Sequence, residues 1–145
     1  MQEAVEQAAR AYAAFFESLT PETLPGLRRL VAPDVQFRDP LHEGRGVDAM
    51  QRGLKALLDN VDDPRFTIRS IATTEHTAFI GWTLAFRRKG RRSLWTITGV
   101  SEVRFDAQDR VASQVNHWDS GGQIYEHIPM LGGLMRTIRR QIAGQ

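Results

Sequence analysis

Cysteine is absent from this sequence. Its absence excludes a disulfide framework, a thiolate nucleophile and thiolate metal ligands. No apolar run approaches the roughly 18–20 residues that a membrane-spanning helix needs. The opening MQEAVEQAAR has early acidic residues and no apolar leader segment, so no signal peptide and a cytoplasmic location are expected. His42, His76, His117 and His127 never pair at metal-ligand spacing on one element, and HExxH does not occur. No metal and no cofactor are therefore expected. A P-loop, a dinucleotide-binding glycine fingerprint and a nucleophile elbow are also missing. Without internal repeats or low-complexity linkers, residues 1–145 are expected to form one domain, with a core at 3–120 and a tail at 121–145.

What is present has the balance of an ordinary soluble globular protein, 41% hydrophobic and 25% charged. Net charge is only +2, but arginine clusters at Arg87, Arg88, Arg91 and Arg92 around Lys89, and again at Arg136, Arg139 and Arg140. Nucleic-acid binding is one reading of such clusters. A solvated hairpin tip and a solvated helix face are the other, and it is preferred because no recognition motif accompanies them. No nucleic-acid partner is expected.

Apolar periodicity divides the chain into elements. Val5, Ala9, Tyr12 and Phe16 repeat at helical spacing in residues 3–19. A shorter helix is expected in TPETLPGLRRLVAP, with Thr20 as its cap and Pro33 as its end. DVQFRD then alternates, placing Val35, Phe37 and Asp39 on one face of a strand. A turn with Gly44 and Gly46 follows, then a helix at about 47–60. Four strands complete the core: RFTIRSIATT, HTAFIGWTLAFRR, SLWTITGVSEVRF and RVASQVNHWD. Helices followed by strands with short turns indicate an α+β fold rather than βαβ units.

The tail bends at Gly121 and Gly122 and then presents Met130, Leu131, Leu134, Met135, Ile138 and Ile142 as an apolar stripe. Such a basic amphipathic helix could lie on a membrane surface through residues 129–142. Packing within the protein or its dimer is the preferred expectation, because Gly132 and Gly133 weaken an independent helix.

Candidate chemistry gathers on the strands. Ala112, Gln114, Asn116 and Trp118 share one face of the last strand, with Ser113, Val115, His117 and Asp119 opposite. Amides on an inner face need partners, and a cavity that receives a ligand would supply them. Asp39 continues the face of Val35 and Phe37. It is either an Asp-Pro turn residue or an inward acid near Phe37, Trp82 and Trp118, whose desolvation would raise its pKa and make it a base. Tyr12 lies on the buried stripe of the first helix, where its hydroxyl meets either a core partner or a ligand oxygen.

FRDP…GRG after the second helix and VRFDAQDRVASQVNHWD near the end resemble the nuclear-transport-factor-2-like superfamily, over residues 3 to about 120. Ketosteroid isomerases and SnoaL-like polyketide cyclases belong to it. The resemblance implies a cone-shaped curved sheet, mixed or antiparallel, around a long N-terminal helix, with a deep apolar cavity. It implies Asp39 as catalytic base, Tyr12 as donor to a substrate oxygen, and Trp118 as a cavity aromatic. Isomerases hold a second, protonated acid where this chain has Ser101, a weaker donor. Cyclases use an aspartate near the end of the last strand, which points to Asp119. The tail resembles bacterial members in which WD precedes Tyr-Glu, a proline and a short basic helix.

Three functions follow as expectations. An enzyme would bind a small hydrophobic molecule and move a proton beside a carbonyl, using Asp39, Tyr12 and Asp119, with Phe37, Trp82, Ser101, Gln114, Asn116 and Trp118 against the ligand. A binding module would hold the same molecule without turnover. A structural module would fill its cavity with side chains and serve to form a homodimer.

Overall fold

The computed structural model describes residues 2–123 and 131–143. The first helix, α1 (Gln2–Glu17), buries Val5, Ala9, Tyr12, Ala13 and Phe15, the face the helical spacing selects, and packs against two of the strands that follow. The next segment departs from expectation. Thr20 closes a turn with Thr23 instead of capping the expected short helix. A single 3-10 turn (Leu24–Gly26) leads into a short α2 (Leu27–Leu30), and the strand β1 begins at Val31. Pro33 therefore lies inside a strand and ends no helix.

After β1 (Val31–Arg38) the chain makes a three-residue strand, β2 (Glu43–Arg45), where only a glycine turn was expected, and then α3 (Val47–Asn60). Four long strands follow: β3 (Val61–Thr74), β4 (Thr77–Arg88), β5 (Leu94–Phe105) and β6 (Val111–Trp118). They form one six-stranded sheet in the order β2-β1-β6-β5-β4-β3. All neighbours are antiparallel except β1 and β6, which run parallel. The architecture is α+β, a mixed curved sheet closed on one face by α1 and α3.

The two strand prolines account for two of the four places where pairing shifts. Proline has no N–H to give to a ladder. Pro33 falls between Val31 and Gln36, where the β1/β6 register shifts, and Pro64 between Asp62 and Arg65, where the β3/β4 register shifts. A further slip in β5/β6 matters more for the interior. Phe105 pairs with Val111 but Arg104 with Ser113, so Ala112 is an extra, bulged residue. Strict alternation puts Ala112 on the face of Gln114; the bulge puts the fully buried Val111 there instead.

At the β4–β5 turn, Arg87 faces Asp63 at 3.5 Å, Lys89 faces Asp62 at 3.9 Å, and Arg88 lies 4.7 Å from the centre of the Trp95 ring. After Trp118 the backbone forms a helical turn, α4 (Ser120–Gln123), at the site of the expected glycine bend, and α5 spans Leu131–Ala143. Packing of the tail's apolar stripe within the chain is not met at Leu134, Ile138 and Ile142, which are 56%, 41% and 83% exposed. Met130 lies outside the described residues, as do the side chains of Leu131, Met135 and Arg139. Among the described residues no helix is long and apolar enough to cross a membrane.

Candidate functional site

The register of three strands builds the site. Phe37 pairs with Gln114 and Arg38 with Val115, so Asp39, one residue on, comes level with Asn116. Asn116 in turn pairs with Ser101 across β5/β6, and Ser101 with Ile80 across β5/β4. One row of the inner face thus carries Asp39, Asn116 and Ser101, with Gln114 one step below. Val103 pairs with Gln114, and below them the interior is packed by Val31 and Val111; above the row stand Trp118 and Trp82.

A cavity of about 300 Å³ opens along this row, at the small end of the range for ligand sites. Its wall is chiefly apolar, completed by Met50, Leu54 and Leu57 of α3 and by Phe66 and Ile68 of β3. Tyr12, Phe37, Asp39, Trp82, Ser101, Gln114, Asn116 and Trp118 all line it. Gly99 shapes its roof. A Cβ on Gly99 would stand 2.6 Å from the Trp82 ring and 2.8 Å from the His117 carbonyl, so the Trp82 ring lies across the strand only because that position has no side chain.

Inside the cavity the polar groups are bonded to one another. The Trp82 indole N–H donates to Ser101 Oγ at 2.9 Å, and the Ser101 hydroxyl donates to Asn116 Oδ1 at 2.6 Å. Gln114 Nε2 donates to the same Asn116 oxygen at 2.8 Å, and the Tyr12 hydroxyl donates to Gln114 Oε1. Burial of Tyr12 pushes its pKa well above the ordinary value, so the hydroxyl keeps its proton for Gln114. Both amide oxygens and the Gln114 amide nitrogen, which a ligand was expected to satisfy, are therefore satisfied by protein. Both donors expected to face a substrate oxygen, Tyr12 and Ser101, direct their protons into this chain. The amide nitrogen left over is Asn116 Nδ2, which has no hydrogen-bond partner among the described residues.

Asp39 combines two roles that the sequence presents as alternatives. Its Oδ1 accepts the N–H groups of Leu41 at 2.8 Å and His42 at 3.0 Å, and its own N–H donates to the His42 carbonyl at 2.9 Å. That is an aspartate turn joining β1 to β2. The same carboxylate lines the cavity, and Oδ2 has no protein hydrogen bond among the described residues. His42 Nδ1 lies 3.2 Å from Asp39 Oδ1, with side-chain exposures of 57% for the histidine and 18% for the aspartate.

Asp119 is not brought to the cavity. It is exposed, and its Oδ1 accepts the N–H of Gly122 at 2.9 Å, capping α4. Sequence reasoning overlooked His42, because one histidine in a turn has no periodic signal; its spacing of three from Asp39 was the available clue. Among the described residues no group of three or more His, Cys, Asp or Glu could hold a metal ion.

Residues 12–114 match the family model of the SnoaL-like domain. No curated protein matches the chain. An NTF2-like protein of unknown function from Burkholderia pseudomallei K96243 superposes with a TM-score of 0.71 at 19% identity, covering 83% of this chain and 95% of that one. A protein from Agrobacterium tumefaciens C58, provisionally described as an isomerase of the SnoaL-like family, gives 0.65 at 18% identity over 81% and 98%. Another from Jannaschia sp. CCS1, provisionally described as a SnoaL-like polyketide cyclase, gives 0.70 at 7% identity over 81% and 87%. At these identities the likeness is one of fold.

Proposed function

This chain belongs to the SnoaL-like domain family, and from that premise we propose that it binds a small, largely apolar molecule and moves a proton next to that molecule's carbonyl group without a cofactor. The observation that carries this reading is the row of Asp39, Asn116 and Ser101 inside an otherwise apolar wall. It offers one free acceptor, Asp39 Oδ2, beside one free donor, Asn116 Nδ2. A carbonyl oxygen accepts from the Asn116 amide, held in place by Ser101 and Gln114, while the carboxylate side of the row receives a proton from the adjacent carbon. The provisional descriptions of two relatives as isomerase and cyclase point to the same class of chemistry. Asp119, capping its helix, has no part in this step.

A second reading draws on the turn. Because Asp39 Oδ1 is committed to backbone N–H groups, the acid can serve only to shape the loop, leaving a binding module without turnover. Native mass spectrometry of the purified chain tests the shared premise: a retained small molecule is expected, and Asn116→Leu should release it. A chain that never carries one and binds no small ketone would overturn both readings. Retained ligand without turnover in wild type would leave only the binding module. We also propose that the outer sheet face, where Phe79 and Val100 are exposed, pairs two copies; sedimentation as a monomer at micromolar concentration would refute this.

A further inference from the structure

We infer that His42 carries the proton in this site and that Asp39 positions it. The inference rests on the reading that proton transfer occurs in the cavity, and it reassigns the atom involved. Asp39 Oδ1 is held by the N–H groups of Leu41 and His42, so the carboxylate cannot re-aim without unmaking the turn. The same oxygen faces His42 Nδ1 at 3.2 Å. Nδ1 stands at ion-pair distance from that oxygen without a hydrogen bond in this structure; in the inferred mechanism the carboxylate holds the imidazole proton on Nδ1 and leaves Nε2 as the open base, as a carboxylate does for a catalytic histidine in general. Two neighbours flank the ring. Phe37 meets it edge-on, with centroids 6.4 Å apart at 75°. Gly53 of α3 faces the other edge, where a Cβ would lie 3.9 Å from Nε2, an ordinary contact, so the helix backbone flanks that nitrogen without blocking it. His42 lines the same cavity as Asn116.

The step balances without a co-reactant. Nε2 takes a proton from the carbon beside the ligand carbonyl. The C–H electron pair forms the C=C bond of an enolate as the carbonyl π pair moves to the oxygen held by Asn116. In a ligand with a further C=C bond conjugated to that enolate, the imidazolium returns the proton at the far end, the double bond shifts and the carbonyl reforms.

The test uses 5-nitrobenzisoxazole, a small flat carbon acid. A base removes its ring C–H proton, the C–H pair becomes the third bond of a nitrile, the N–O bond breaks, and the electrons end on a coloured phenolate. Wild-type protein is expected to open it with saturation. His42→Ala should lower kcat by about 100-fold or more, with partial rescue by added imidazole. Asp39→Asn keeps an oxygen for the turn N–H groups, so it should lower kcat with KM little changed. Long-range proton–nitrogen NMR should find the His42 proton on Nδ1 in wild type and redistributed in Asp39→Asn. His42→Ala at the wild-type rate, or a wild-type proton on Nε2, would overturn the inference and leave the proposed function standing. No turnover by wild type also overturns it. Quenching of Trp82 and Trp118 fluorescence by the probe, or a molecule retained in native mass spectrometry, would then still uphold the cavity; neither would remove that reading too.

Discussion

The two ends of the interior are built from the same strands and differ in what those strands carry. At the closed end Val31, Val35, Ala78, Val103 and Val111 are wholly buried and mutually packed. At the open end Trp82, Leu84, Phe86 and Ile97 form a second cluster that borders empty space, joined by the half-buried Trp95 and Trp118. Between the two runs the polar row. Because β1 and β6 are parallel, both pass from the closed end toward the open one, and each turns from apolar to polar at the same level: Val31, Val35, Phe37, Asp39 on one, Val111, Gln114, Asn116 on the other, before Trp118. Apolar packing thus anchors the strands where they begin, and the site occupies the positions where packing runs out. Stability and chemistry are separated along single strands.

The largest effect should come from emptying the closed end. Leu27, wholly buried in its cluster, should cost about 2–5 kcal/mol on Leu27→Ala in urea denaturation. Leu57→Ala, which enlarges a cavity already there, should cost less than half as much; equal losses would mean the open end is packed as tightly as the closed one. Gly99→Ala forces a methyl against Trp82 and the His117 carbonyl and should cost about 1–3 kcal/mol. Ser101→Ala orphans the Trp82 indole N–H and should cost a similar or slightly smaller amount, about 1–3 kcal/mol. A Ser101→Ala protein of wild-type stability would show that the polar row is solvated, not internally bonded.

Tyr12 sharpens the comparison through pH. Its pKa is raised by burial in the folded state, so the folded state holds a proton that the unfolded state loses above pH ~10. The Tyr12 contribution is fully present below that pH. It declines by about 1.4 kcal/mol per pH unit above it. Tyr12→Phe should remove that slope, read as the difference between the two proteins' alkaline denaturation curves. The smallest effect belongs to the surface. Arg28→Ala, which breaks the exposed pair with Asp48, should change stability by less than about 0.5 kcal/mol.

Much of this was legible in the residues. The α3 boundaries, the inward face of β4 and the inward face of β5 follow from periodicity alone, because each repeats its apolar spacing over many residues. Eight of the nine candidate site residues line one cavity: inward alternation picks out six on the strands, helical spacing picks out Tyr12, and Asp39 continues the β1 face into its turn. What periodicity could not show was local. β2 is too short to alternate, Pro33 looks like a helix stop until the strand around it is paired, and the Ala112 bulge leaves no composition signal. Asp119 and Asp39 sit at turns, where hydrogen bonds from backbone N–H groups to the carboxylate, not strand alternation, aim the side chain.

By itself the sequence determined which faces turn inward, because hydrophobic spacing is an intrinsic property of each segment and burial follows it. The tertiary structure alone decided which inward residues become neighbours. The parallel alignment of β1 with β6 and the slip in β5/β6 bring Asp39 level with Asn116 and Ser101, and those alignments depend on contacts between segments far apart in the chain. It also decided where the protons of Tyr12 and Ser101 point, since a hydrogen bond needs a partner that only folding supplies.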